Sequence, residues 1–420
     1  MRLRTSLWTV PVIALLGAML LAWALGRVDS RIGQDQEAWF LFGGGAENAR
    51  ELLSTVASSL MTFTGVVFSI TILVLQLASS QYSSRILQTF LEDRVTRFSM
   101  GVFIGSFVYA IRLLPELRVG TDARPEFVPA LSIFVAQLLV LLSVVIFVQY
   151  ISHMAHSIRA VHVVFRVADE TRRALQAHFP EKAPHVDSGG VPRPRGPPDT
   201  VFPHDRPPGV VATVEERSLL ELASAHDAVI ELVPRVGDFV PRGAPLFKVW
   251  GGAGLQLKQL RETVVVAKER TPHQDIPFGI RQLVDVAERA LSPGVNDPTT
   301  AVQALDQIHD LLRTLAARPF PRETVCDSQG RLRLVILQPS WEGLVRLGLD
   351  EIREAGAGSL QVSRCLRAVL EDLLTVAPPS RCGILQEQLE LLTKSNEQHF
   401  QSRTERQLAE TPSQQGHGET

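Results

Sequence analysis

The sequence runs to 420 residues, with 42 Lys plus Arg against 44 Asp plus Glu and a formal net charge of -2. That balance excludes the basic surface expected of a nucleic-acid-binding protein. Cys326, Cys365 and Cys382 are too scattered for a disulfide framework or a recognisable metal set, and unpaired thiols fit a reducing compartment.

Apolar residues are segregated into four runs within the first 151 residues, and the rest reads as soluble protein. The first run, Trp8 to Leu25, follows Arg2 and Arg4 and is longer than a usual signal-peptide core. Arg27 and Asp29 stand where a small-residue cleavage site would be, so a retained span over about 8–26 is expected. Pro11 falls in its first turn, where the missing N–H costs little. The loop from Arg27 to Glu51 is net acidic, and Gly43-Gly44-Gly45 within it lacks the Lys and Ser/Thr of a phosphate loop.

The second run organises the chain. From Leu60 to Ser80 it holds no Asp, Glu, Lys, Arg or His, and about 20 such residues suffice to cross a bilayer. Thr62, Gly65, Ser69, Gln76 and Ser80 recur at helical spacings and fall along one side of the expected span, about 57–80. Helix packing through small residues, a wall of a permeation path, a ligand groove and no special role are the readings of that stripe.

The third run, about 98–114, carries Gly101 and Gly105, a face for close helix approach. Arg112 near its end is expected to reach the membrane interface. The fourth, about 127–151, has Pro129 in its first turn and Tyr150 near its end. Positive charge at the N-terminus and at Arg85 to Arg97 predicts that both termini are cytoplasmic, with the acidic loops outside. His153, His156 and His162 have no acid among them and read as part of a helix leaving the membrane, with an amphipathic continuation from Ser157 to Leu175.

Residues 178 to 208 are rich in Pro, Gly and charge and predict a linker with no regular element. Short strands are then expected at 210–214, 228–233, 239–240 and 246–250, with a helix over 219–225. Val233, Gly237, Asp238, Val240, Gly243, Pro245 and Leu246 resemble the turn signature of lipoyl and biotinyl half-barrels, with one extra residue between Val233 and Gly237. No Lys lies between Lys182 and Lys248, so the modified lysine of that family is missing and no cofactor is expected.

The strongest polar motif follows, from Phe278 to Pro298. Ile280, Leu283, Val284, Ala287 and Leu291 predict one helix that Pro293 and Gly294 end, and Asp297-Pro298 predict the start of the next. Arg281, Asp285, Asn296 and Asp297 are candidates for a regulatory or structural polar turn if the first helix presents its polar side to that turn. A strand over 332–337 and helices over 342–354, 360–376 and 385–395 complete the expectation.

Two segments, QLASSQYSSRILQTFLEDRVTRFSMGVFIGSFVYA (Gln76 to Ala110) and FGIRQLVDVAERALSPGVNDPTTAVQALDQI (Phe278 to Ile308), resemble the bacterial family DUF2254, described as predicted membrane proteins. The resemblance spans nearly the whole chain. It implies a multi-pass protein of the bacterial inner membrane and supplies no catalytic residues.

The expected fold is thus a polytopic α-helical membrane protein with a mixed α+β cytoplasmic domain. Its parts are a membrane domain over 1–154, a connecting helix and linker over 155–208, a small β half-barrel over 209–262, a mainly helical domain over 263–400 and a disordered tail over 401–420. No catalytic or metal-binding set is visible. The leading functional reading is an oligomeric ion channel or small-solute pore with a cytoplasmic regulatory domain. A membrane-anchored sensor or scaffold and a membrane-bound enzyme are the alternatives. The expected partners are the lipid bilayer, further copies of the chain and a cytoplasmic protein or small-molecule ligand.

Overall fold

The computed structural model describes residues 9–32, 43–81, 93–118, 127–157, 160–179, 181, 192–271 and 274–415; the side chains of 32, 77–81, 156 and 157 are outside that description. The chain divides into two compact units, Met1–His162 and Val163–Thr420.

Among the described residues, the first unit holds the α-helices α1 (Thr9–Ile32), α2 (Ala46–Gln81), α3 (Arg94–Leu113) and α4 (Ala130–Ser157). Each contains a stretch long and apolar enough to cross a membrane. Helix α3 lies against α1, and its glycines permit the approach. A Cβ on Gly101 would sit 3.2 Å from Val10 Cγ1, and one on Gly105 would sit 3.3 Å from the Ala14 carbonyl oxygen.

Helix α2 packs on α3 and α4. Its inward residues, Leu53, Ala57, Leu60, Thr64, Val67, Thr71 and Val74, alternate four- and three-residue steps, the spacing of a coiled-coil seam. Phe63 stacks on Phe147 with ring centroids 4.7 Å apart, and Phe103 meets both edge-on.

Polar groups close both ends of this bundle. Asp29 of α1 accepts from the backbone N–H groups of Leu131 and Ser132, each at 3.1 Å. It thereby caps α4 from another helix, since the first N–H groups of a helix have no partner of their own. The buried Tyr109 hydroxyl donates to the Ser132 carbonyl at 2.9 Å. At the other end Asp93 caps α3 by accepting from Thr96 N, and it faces His153 Nε2 of α4 at 3.1 Å. Burial raises the Asp93 pKa, but the Thr96 hydrogen bonds and His153 outweigh it and hold the carboxyl below its ordinary value. Arg112 pairs with Glu116 at 3.1 Å, one helical turn on.

The second unit begins within α5 (Ala160–His178), which follows α4 after two residues. The strands are β1 (Thr200–Pro203), β2 (Gly209–Val214), β3 (Ala228–Leu232), β4 (Phe239–Val240), β5 (Pro245–Gly251), β6 (Val264–Ala267), β7 (Thr324–Cys326) and β8 (Leu332–Ile336). The helices are α6 (Glu216–Ala225), α7 (Leu257–Glu262), α8 (Ile276–Leu291), α9 (Pro298–Ala317), α10 (Trp341–Ala355), α11 (Leu360–Val376), α12 (Cys382–His399) and α13 (Arg403–Ala409).

The strands form two open sheets, ordered β1-β5-β3-β8-β7 and β4-β2-β6, and neither closes. This part of the chain is thus a mixed α/β region with strands in two open sheets, and neither sheet curls into the expected half-barrel. A short hairpin is marginal by itself, and β3–β5 gains a neighbour on each side. Strand β8, about a hundred residues on, pairs parallel with β3, and β1 from the Pro-rich stretch pairs antiparallel with β5. The stretch expected to hold no regular element therefore supplies an edge strand. One core, with Leu219, Ile230, Phe247, Val249 and Leu334 all buried, lies under these strands.

Helices α8 to α11 form the helical layer. Ile280, Leu283, Val284 and Ala287 face the buried Leu305, Ile308 and Leu312 of α9, and each such aliphatic burial contributes about 1.5–3 kcal/mol. Gly279 lies under α5, where a Cβ would come within 2.0 Å of Thr171 Oγ1. Arg172 of α5 pairs with Asp310 of α9 at 2.7 Å. The expected tail holds α13, whose Ala409 is fully buried and whose Leu408 carbonyl accepts from Arg364 Nε at 2.7 Å.

Candidate functional site

Helix α2 carries the first candidate. Thr62, Gly65, Ser69 and Gln76 are all exposed, on the side opposite the buried seam. The side chain of Ser80 lies outside the described residues. Ser54 and Ser58 extend the exposed stripe, and Glu47 and Glu51 head it at the helix N-terminus. From Ser54 to Gln76 the stripe is about 33 Å long at 1.5 Å per residue, close to the thickness of a hydrocarbon core. Exposed Met61, Ile72 and Leu73 occupy the stripe's flanks.

The hydroxyls of the stripe are satisfied locally. Ser58, Thr62 and Ser69 donate to the carbonyls of Ser54, Ser58 and Gly65 at 2.9, 3.0 and 3.0 Å. This returns the bond to the helix itself and leaves each oxygen with a free acceptor position. Gln76 has no such solution, and its amide has no partner among the described residues. A Cβ on Gly65 would meet nothing within 4 Å, so the notch at that glycine is open.

The four residues of the expected polar turn are split between two places. Arg281 donates to Asp285 Oδ1 at 2.6 Å and to Glu288 Oε2 at 2.8 Å, and it pairs with Glu351 of α10. Burial, then the charge of Glu351, push the Glu288 carboxyl above its ordinary pKa. Asp297 acts instead as the N-cap of α9, accepting from Thr300 N at 3.1 Å and from Thr300 Oγ1 at 2.6 Å. Asn296 takes φ +48°, the left-handed conformation that Asn tolerates better than most residues, and is exposed. The Arg281 cluster binds α8 to α10, and the Asp297 turn is helix-capping geometry.

Chemistry that sequence spacing does not reveal lies at Asp29, Asp93–His153 and Asp227–Arg333, whose partners are far apart in the chain. Arg333, 3% exposed, donates to Asp327 at 2.9 Å and pairs with Asp227 at 2.8 Å. Among the described residues, no group of three or more His, Cys, Asp or Glu could hold a metal ion.

Residues 4–372 match the family described as "Predicted membrane protein (DUF2254)". The chain belongs to the DUF2254 family. Its relatives include proteins of Mycobacterium bovis and of two strains of Mycobacterium tuberculosis, each titled uncharacterized. Each is 32% identical over 381 residues, covering 88% of this chain and 72% of the relative. No solved structure matches the chain. This DUF2254 protein is thus a membrane protein with four candidate spans and a mixed α/β unit beyond them.

Proposed function

We propose that the protein assembles into a homo-oligomer in which α2 of each copy lines a shared aqueous path for small cations. The observation that carries this reading is the direction of the polar stripe on α2. Its apolar seam is consumed inside the protomer, so Ser54, Ser58, Thr62, Ser69 and Gln76 face outward. Outward means hydrocarbon for a lone protomer, where an amide without a partner costs several kcal/mol. Further copies or water relieve that cost.

Glu47 and Glu51 head the stripe, and repetition about an axis would make them an acidic ring of the kind that favours cations. The spans lie on the plasma membrane of a bacterium in this reading, with both termini and the second unit in the cytoplasm as a regulatory domain. The alternative sensor reading keeps the oligomer and dispenses with conduction.

Reconstitution of the full-length protein in planar bilayers tests it. Wild type should pass cation current. Ser69→Leu and Gln76→Leu should change unitary conductance without dispersing the oligomer, and Glu51→Gln should lower the cation-to-anion permeability ratio. An intact oligomer that passes no ion at any voltage, tension or pH would overturn the proposal.

A further inference from the structure

The turn that resembles a lipoyl-domain signature has a different use here. Gly237 takes φ +94°, and a Cβ on it would come within 2.4 Å of Asp275 Oδ2 and 2.7 Å of Arg270 Nη2. The turn between β3 and β4 is therefore pressed onto the Arg270–Asp275 ion pair. That pair is two-pronged, with Arg270 Nε and Nη2 donating at 2.7 and 2.8 Å to a carboxylate side chain only 1% exposed. Asp275 Oδ1 also accepts from Phe278 N at 3.0 Å, which fixes the start of α8. Beside it Gln274 clamps Val214, accepting from its N–H at 2.8 Å and donating to its carbonyl at 3.2 Å.

These fixed elements wall a pocket of about 380 Å³, within the range of small-molecule sites. At about 30 Å³ per water, it has room for roughly a dozen waters. Phe179, Val236, Ile276 and Leu337 give it an apolar lining. Three charges at the lining are left for a ligand. Arg235 has no side-chain partner among the described residues. Asp238 spends one oxygen on the Arg235 backbone N–H at 2.9 Å and keeps the other. Glu216 at the rim is short of positive charge. Crowding by the protein pushes its carboxyl above the ordinary pKa, and His178 offsets only part of that.

We infer that this pocket binds a small zwitterion with an apolar body, its carboxylate on Arg235 and its ammonium on Glu216 and Asp238. One unpaired guanidinium and two under-used carboxylates around an apolar floor match both ends of such a molecule. A simple carboxylate would leave Glu216 and Asp238 unserved, and a simple amine would leave Arg235 so. A guanidinium fork presents a matched pair of donors to a carboxylate. The inference concerns binding and does not depend on conduction.

Calorimetric titration of the full-length protein in detergent tests it, with L-leucine as the probe and N-acetyl-leucine and leucine amide as one-ended controls. Leucine should bind at least about tenfold more tightly than either control, the loss expected when one charge-assisted contact is removed. Arg235→Ala should lose about tenfold in leucine affinity, and Arg235→Lys should restore part of it. Glu216→Gln should weaken leucine and leave N-acetyl-leucine unchanged. Thermal unfolding of each variant separates lost binding from lost fold, and Arg235 is exposed and makes no side-chain bond among the described residues. Equal binding of leucine and N-acetyl-leucine, unchanged leucine affinity in a folded Arg235→Ala variant, or no binding of leucine at about 10 mM, the upper end of weak affinities, would each overturn the inference.

Discussion

Helix α2 of the first unit and helix α8 of the second both bury an apolar seam and turn polar residues outward. In α8 the outward groups are Arg281, Asp285 and Glu288, joined to one another and to Glu351 of α10. That is the ordinary arrangement for an amphipathic helix whose outer face meets water. In α2 the same arrangement stands in a helix long and apolar enough to span a bilayer, where the outside is hydrocarbon. Outward polar side chains need no explanation when water is the solvent; in lipid they call for a partner. The contrast also separates two uses of polar groups inside the first unit, since Asp29, Tyr109 and Asp93 bond within the protomer while Gln76 has no partner among the described residues.

If that contrast holds, substitutions that touch internally used groups should destabilise, and substitutions on the outer face of α2 should not. The largest effect is expected at Gly279→Val, which drives a branched side chain into Thr171. It should cost about 3 kcal/mol by chemical denaturation of the second unit's signal, and Thr171→Ala should return part of it. Complete additivity of the two changes would disprove the contact.

Asp29→Ala should cost about 2 kcal/mol, because it removes the cap of α4 and leaves two N–H groups in poor surroundings. Thermal unfolding in detergent measures it, and an unchanged midpoint would show that solvent serves those groups equally well. Asp297→Ala removes a surface cap and should cost about 1 kcal/mol, with conduction and leucine binding retained at a permissive temperature.

A pH series gives a smaller signature. Hydrogen bonds from the Arg331 backbone outweigh desolvation and, with Arg333 and the Gln329 N–H, hold the Asp327 carboxyl at about 2. The unfolded value is about 3.9, so unfolding takes up a proton between the two values. The stabilisation is complete above about pH 4 and is lost as pH falls through about 2. Stability of wild type and Asp327→Asn should therefore converge over that window; a constant difference down to pH 2 would be inconsistent with the pairing. Least of all, Ser69→Ala should leave protomer stability within about 0.5 kcal/mol, as expected of a side chain that bonds only its own helix. A larger loss, measured on monomeric protein, would mean that the stripe already has a partner inside the protomer.

Periodicity along the chain was enough to place the four apolar helices, the α8–α9 pair and most strands, because each rests on a pattern shorter than about twenty residues. The cap at Asp297 was equally legible, since a cap lies next to the helix it serves. Strand partnership was not. Nothing local in Ala228–Leu232 says that Leu332–Ile336 will lie parallel beside it, and a four-residue strand among prolines is too short to stand out from its composition. The tight turn at Gly237 is legible in its local sequence, but the Arg270–Asp275 pair against which it closes is not, because that pair lies more than thirty residues on.

The stripe on α2 divides along the same line. Its residues share one helical face by spacing alone, and so does the seam opposite. Which of the two faces the protein would turn inward was decided only when α3 and α4 packed against Leu53, Leu60, Val67 and Val74. A helix's own sequence specifies the angles between its side chains, whereas burial is a property of the surface that meets them. For the same reason the pocket was invisible in the chain: Glu216, Arg235 and Asp275 come from three separate loops and helix starts, and only the packed sheets and helices bring their charges around one cavity.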